Sequence, residues 1–269
     1  MKIGVIGAGA MGEAIVAAVL RAKLTEPASI RISDSAEARR KYMLETYGVG
    51  ASGDNAEAAS GADIVMLALK PQDFPRAAGE MRGRADRATV VSIMAGVTIR
   101  QIEREMGTAR VVRSMPNTPA QVGEGMTVWT ATPAVDEGAR ERVRQVLAAM
   151  GKEAYVPEEK YLDMATGLSG SGPAYVFLFL EALTDAGVHI GLSRDLAYAM
   201  ALQTVIGSAR YAEKTGRHPA ELRNQVTSPG GTTAEALRAF EAGSFRSDVL
   251  EAVIAAFNKS RALGSEESK

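Results

Sequence analysis

The sequence predicts an α/β protein: an N-terminal Rossmann-type doubly wound sheet followed by an all-α C-terminal dimerisation domain. Three observations lead there. The chain opens with Gly7-Ala8-Gly9-Ala10-Met11-Gly12, set between an apolar run and an amphipathic stretch. Short β-rich runs then alternate with helical stretches, the pattern of a parallel sheet with crossover helices. Beyond Tyr161 the strand signals stop, and alanine- and leucine-rich helix punctuated by glycine and proline takes over. We therefore expect a dinucleotide-binding domain over 1–160 and a helical substrate-binding and dimerisation domain over 161–269.

In chain order, strands are expected at 2–6, 30–33, 64–69, 89–93, 110–114 and 126–130. The runs at 64–69 and 89–93 are continuously apolar, which suits parallel strands covered on both faces. Helices fit between the strands at 35–47, 55–60, 74–81, 99–106 and 135–150. In the second half Pro173 suits a first helical turn. Gly187 and Gly191 mark a helix end, Ser193 can cap the next helix, Gly216 ends it and Pro219 starts another. Helices from Thr232 and near Ser244 follow, and the polar tail 264–269 is expected to fray. The stretch 175–183 is apolar on nearly every face until Glu181, and such a helix is normally buried all round. The second half alone offers little to bury it, so a subunit interface is expected, with a central helix of a monomeric bundle as the alternative.

Composition narrows the function. A formal net charge of −1 gives no field to recruit nucleic acid or an anionic membrane. The absence of cysteine rules out disulfides, thiolate catalysis and cysteine metal sites, and fits a cytoplasmic protein. Only His189 and His218 offer imidazole, too few for a histidine-rich metal site. Both read as surface or capping residues, and no metal is expected. The apolar run at 174–180 is far short of a membrane span. A strand starting at Lys2 leaves no room for a cleavable leader.

In the glycine loop, Gly7 permits the tight turn, Gly9 lets backbone approach a pyrophosphate, and Gly12 allows close helix–strand packing. The N-terminus of the helix then faces the anion, with Ala8, Ala10 and Met11 in the same cradle. Asp34 stands where the fingerprint expects an acidic residue, at the end of the second strand after Ser33. A carboxylate there accepts from ribose hydroxyls and repels a 2′-phosphate, which favours NADH over NADPH. Arg39 and Arg40 read as solvated helix residues, with accommodation of a phosphate as the other reading, and Asp34 as a mere helix cap stays open. Ala68, Leu69, Lys70 and Pro71 close another strand, and with Asn55, Ala95 and Gly96 they are candidates to wall the cofactor. The rigid loop Met115-Pro116-Asn117-Thr118-Pro119 should border the nicotinamide end.

Near the other end lies Val226-Thr227-Ser228-Pro229-Gly230-Gly231-Thr232-Thr233-Ala234-Glu235. Proline and two glycines stop one helix. Thr232 then starts another, with Glu235 at capping-box spacing. Unpartnered N–H groups and the helix dipole make this turn a seat for a small carboxylate or phosphate. The two ends together point to a nicotinamide enzyme acting on a small acid.

These motifs, with Thr166-Gly167-Leu168-Ser169-Gly170-Ser171-Gly172-Pro173-Ala174-Tyr175, resemble those of the pyrroline-5-carboxylate reductase family from the glycine loop to about Leu263. The resemblance implies NAD(P)H-dependent reduction of 1-pyrroline-5-carboxylate to L-proline, the last step of proline biosynthesis. It implies a homodimer of interlocked helical domains, often assembled into larger rings. It places cofactor contacts on the glycine loop, Asn55, Ala68 to Pro71 and Ala95. Substrate contacts fall on Glu159, Ser228, Gly230, Gly231, Thr232 and Thr233. Many relatives carry a small polar residue at the position of Asp34 and use NADPH readily. For a cyclic imine, Thr233 is the candidate to hydrogen-bond the ring nitrogen, because Thr232, as the cap, would spend its hydroxyl on the Glu235 N–H. Tyr175 and Ser171 are further candidates to contact ligand. Two alternatives stay open: a β-hydroxyacid-dehydrogenase-like NAD(P) enzyme, which would want a helical catalytic lysine where only Lys214 offers itself near a helix end, and a dinucleotide-binding interaction protein without turnover.

Overall fold

A computed structural model describes residues 1–266. One eight-stranded sheet contains β1 (Ile3–Ile6), β2 (Ile30–Ser33), β3 (Gly50–Ser52), β4 (Ile64–Leu67), β5 (Thr89–Ser92), β6 (Val111–Met115), β7 (Gly125–Ala131) and β8 (Gly151–Tyr155). Their order is β3-β2-β1-β4-β5-β6-β7-β8. The first six strands run parallel. β7 turns antiparallel to β6, and β8 follows β7 in parallel. The chain winds outward from β1 in one direction and from β4 in the other, so the switch point lies between those two strands. The sequence does not announce β3 or β8. Both are outermost strands, and Gly-Ala-Ser and Gly-Lys-Glu-Ala-Tyr lack the apolar run that marks a strand covered on both faces.

Helices α1 (Ala10–Arg21), α2 (Glu37–Tyr47), α3 (Asn55–Ala59), α4 (Phe74–Met81), α5 (Ile99–Met106) and α6 (Glu137–Ala148) connect the strands. α2 begins later than expected because Asp34 Oδ1 accepts the Ala36 N–H at 2.9 Å and holds 34–36 in a turn. Alternate residues of each central strand feed opposite cores. Val5, Ile32 and Met66 pack with Ile15 of α1 on one face. Ile6, Val65 and Leu67 pack with Phe74 and Met81 of α4 and Ile102 of α5 on the other.

Then come α7 (Lys160–Ala165) and a wide π-helical turn (Thr166–Gly170), neither foreseen from sequence. Gly170 packs in that turn under the end of Met115, whose Cε would lie 2.8 Å from a Cβ there. The remaining helices are α8 (Gly172–His189), α9 (Arg194–Thr215), α10 (Pro219–Gln225), α11 (Thr232–Ala242) and α12 (Phe245–Glu266). Gly187 does not end α8. The helix continues to His189, and the missing Cβ, which would meet Ala197 Cβ at 2.8 Å, lets α8 and α9 pack closely. Ser193 holds the N-cap position of α9 without a side-chain bond, and Gly216 closes that helix in the left-handed conformation. α12 runs on to Glu266, into the tail expected to fray, and Gly264 lies against the Gly96 carbonyl. Residues 267–269 of the predicted tail lie outside the described residues.

Two compact units result: Met1–Ser171 together with the chain from Ala255 on, and Gly172–Ile254. Residues 160–171 go with the first unit through polar anchors. Asp163 pairs with Arg113, and Asn117 Nδ2 donates to the Ser169 carbonyl at 3.1 Å. In the second unit α8 is not buried all round within its own chain, for Phe177 and Leu178 are 62 % and 67 % exposed.

Candidate active site

In the first unit a cleft of about 280 Å³ opens at the carboxyl ends of β1 and β4. This is the topological switch point, where open parallel sheets bind ligands. Of the expected cofactor residues, Gly7, Gly9, Ser33, Asp34, Asn55, Ala68, Leu69 and Lys70 line it together. Ala10, Met11 and Gly12 form the first turn of α1 beside it, Pro71 follows Lys70 at its rim, and Ala95 lies on the loop after β5.

The loop geometry fits a pyrophosphate. Gly7 has φ +94°, and a Cβ there would come within 2.5 Å of the Ala68 carbonyl oxygen. A Cβ on Gly12 would strike the Gly7 carbonyl. Nothing stands within 4 Å of the Cβ position of Gly9, so the loop is open where a phosphate would approach. Gly9 caps α1 without a side-chain bond, and the first N–H to bond back is that of Glu13, to the Gly9 carbonyl. The N–H groups of the first turn are thus left for an anion. Ala8 also has a structural task. Its N–H is taken by Asp34 Oδ2 at 2.8 Å and its carbonyl by Arg39 Nε at 2.8 Å, so it braces the loop.

Arg39 and Arg40 are not the solvated residues their surroundings in sequence suggest. Arg39 folds back to pair with Glu13 at 2.7 Å and stacks over Tyr42. Arg40 Nη1 donates to the carbonyls of Asp34 and Ser35. Glu13 also accepts from Tyr42 and Tyr47. Burial works against its charge, but the bonds from Arg39, Tyr42 and Tyr47 outweigh it and hold the carboxyl below its ordinary value. Tyr47 is pushed up to about 12 by burial and by Glu13. Asp34 caps no helix; both its oxygens bind backbone N–H groups at the cleft wall, and Ala36 is the N-cap of α2.

Further polar residues line the cleft that sequence reasoning missed: Asp73, Arg76 and Glu80. They fall on one face around α4 at helical spacing, and that periodicity, read together with the cleft position of Lys70, was the available signal. Glu80 receives the Asn55 amide at 2.7 Å, while Asn55 Oδ1 accepts from buried Ser33 at 2.6 Å.

In the second unit the 226–235 segment makes the expected turn with a different cap. Gly231, not Thr232, is the N-cap of α11, with extended φ −81° and ψ 170°. Its carbonyl takes the N–H groups of Ala234 and Glu235, so Thr232 is already helical and the capping box does not form. Gly231 N–H donates to the Ser228 carbonyl at 3.0 Å. No side chain caps α11. The Thr232 and Thr233 N–H groups therefore stand at a positive helix end beside two threonine hydroxyls. Gly230, at φ +66°, has nothing within 4 Å of its Cβ position.

Glu159 is held in the first unit, where Oε1 accepts from Arg113 at 2.7 Å and from the Ile99 N–H at 2.8 Å. Ser171 and Tyr175 flank the start of α8. His218 accepts the Ala220 N–H as cap of α10, and Lys214 sits in the last turn of α9.

Comparison with known proteins agrees with this geometry. Residues 159–263 match the family model "Pyrroline-5-carboxylate reductase dimerisation", and residues 2–96 match "NADP oxidoreductase coenzyme F420-dependent". The chain is 42 % identical to a pyrroline-5-carboxylate reductase of Synechocystis, covering 99 % of each chain. It is 40 % identical to one from Arabidopsis thaliana over 97 % of this chain and 95 % of that one. A Plasmodium falciparum pyrroline carboxylate reductase solved with NADP bound superposes with a TM-score of 0.90 at 32 % identity, covering 98 % of both. With near-complete coverage, identities of this size and a helical region that matches the dimerisation model, the chain belongs to the pyrroline-5-carboxylate reductase family.

Proposed function

We propose that this chain performs its family's reaction, NAD(P)H-dependent reduction of 1-pyrroline-5-carboxylate to L-proline, with the labour divided between the cleft and the α11 turn. The observation that carries the proposal is the uncapped start of α11, where two N–H groups and two hydroxyls stand together with no hydrogen-bond partner among the described residues.

The first-unit cleft holds the dinucleotide, with Gly7, Gly9 and the α1 N-terminus at the pyrophosphate and Asp34 at the adenosine ribose. The bound nicotinamide supplies a hydride. The α11 turn takes the substrate carboxylate on the backbone of Gly231 to Thr233, and Thr233 orients the ring nitrogen. One hydride to the imine carbon and one proton on nitrogen give the secondary amine. Substrate that binds as the iminium already carries that proton, so the protein's work is orientation and charge placement. A neutral threonine suits that role better than the role of an acid.

Asp34 leans the choice of cofactor toward NADH, as its carboxylate faces the cleft where a 2′-phosphate would bring like charge. The NADP in the Plasmodium relative belongs to a different chain. The dimerisation-type helical region supports a homo-oligomer; assembly of dimers into a ring, and a cytoplasmic setting for this cysteine-free chain, complete the reading. No helix among the described residues is long and apolar enough to cross a membrane.

The test is NAD(P)H absorbance with 1-pyrroline-5-carboxylate, with proline quantified as product. Stoichiometric proline supports the reading. Protein that binds cofactor yet forms no proline across neutral pH overturns it.

A further inference from the structure

Among the described residues one charged side chain is buried, and it is not part of the cleft lining. Arg113, on β6, is 4 % exposed and holds two carboxylates, Glu159 at 2.7 Å and Asp163 at 3.4 Å. Neither carboxylate stops there. Glu159 Oε1 accepts the Ile99 N–H at the start of α5, and Asp163 Oδ1 accepts the hydroxyl of Ser260, itself 2 % exposed on α12. Arg113 thereby links β6, the start of α5, α7 and the last turns of α12.

The loop between β5 and α5 is what this network encloses. It starts with the Ile93 N–H on the Leu67 carbonyl at 3.2 Å, at the end of the strand that opens into the cleft. It ends at Ile99, on Glu159. Between them Gly96 turns at φ +78° against α12: a Cβ there would lie 2.9 Å from Leu263 Cβ, and one on Gly264 would lie 3.1 Å from the Gly96 carbonyl. Ser114 closes the fourth side by donating to the Ser92 carbonyl at 2.9 Å. A loop fixed at both ends and along one flank keeps one conformation, and this one carries Ala95 at the carboxyl edge of the sheet, next to the strand that lines the cleft.

We propose that Arg113, Glu159, Asp163 and Ser260 form a positioning brace that sets the 93–98 loop for the nicotinamide end of the cofactor, making cofactor affinity depend on the docked end of α12. The proposal rests on the cofactor reading of the cleft. It assigns Glu159 Oε1, which accepts from Arg113 and from the Ile99 N–H, a task other than contact with substrate.

Ser260→Ala removes one bond without leaving a buried charge unpaired, and Glu159→Gln removes the charge while keeping an acceptor. In each full-length variant we would measure NADPH and NADH dissociation constants by cofactor fluorescence, KM for 1-pyrroline-5-carboxylate, and Tm. The brace predicts cofactor dissociation constants raised about three- to tenfold, within the range for residues acting at one remove, with KM for the imine within about twofold. Ser260→Ala with unchanged cofactor affinity overturns the brace, even if Tm falls, since that is a purely structural role. Glu159→Gln that raises only the imine KM also overturns it, and returns Glu159 to the substrate site. Wild-type protein that binds neither cofactor removes the cleft reading together with this proposal, whereas failure of the variants alone leaves that reading standing.

Discussion

Asp34 ties the architecture of the glycine loop to the cofactor choice proposed for this cleft. Its carboxylate fixes Ala8 and Ala36 while facing the cleft. Arg39, which stood in sequence as a possible counter-charge, is committed to Glu13 and to the Ala8 carbonyl. We expect kcat/KM with NADH to equal or exceed that with NADPH, and Asp34→Ser to shift the ratio toward NADPH by about tenfold or more, the scale of one charged hydrogen bond. A preference for NADPH unaltered by Asp34→Ser would place its role in the loop alone. Glu13 gives a pH prediction. Its folded pKa lies below its ordinary value, so its contribution to stability is complete above that value and is lost as pH falls through the folded one. Below about pH 4.5, the ordinary value, wild-type Tm should therefore fall more steeply than that of Glu13→Gln, and parallel Tm profiles would contradict this.

At the scale of elements, α11 and its turn give the sharpest test. A Cβ on Gly231 would stand 3.2 Å from both the Ser228 carbonyl oxygen and its hydroxyl, tight enough to force the turn to move. Gly231→Val should raise KM for 1-pyrroline-5-carboxylate at least about tenfold, as expected when one charge-assisted contact is lost, and leave the NAD(P)H dissociation constant within about twofold. An unchanged KM would remove this turn from the substrate site. The sequence located the turn and the helix correctly but misplaced the cap by one residue. Threonine followed three places later by glutamate is a capping-box pattern, but the cap is the last residue with extended backbone, and that residue is Gly231. Leaving Thr232 inside the helix frees a second hydroxyl. Gly187 carries the same lesson: glycine in sequence reads as punctuation, and only the neighbouring α9 shows that it serves close packing.

For the whole molecule, the helical unit exposes Val176, Phe177, Leu178, Leu196 and Met200 along α8 and α9. Apolar surface of this extent marks an interface, and it lies within the region that matches the dimerisation family model. Sedimentation at low micromolar concentration should show dimer or larger and no folded monomer; a stable, active monomer would refute an obligate interface. The sequence by itself determined the α/β class, the central strands, the glycine loop before α1 and the turn that opens α11, because each rests on local chemistry: apolar runs, glycine where a Cβ has no room, unpartnered N–H groups at helix starts. It did not determine the edge strands, which carry no local pattern, or the π turn at 166–170. Nor could it show that Arg113 gathers carboxylates from 159 and 163 and, through Asp163, a hydroxyl from 260. Those partners meet only once the sheet has formed and α12 has returned to it, and a charge becomes worth pairing so closely only after burial has taken its water away.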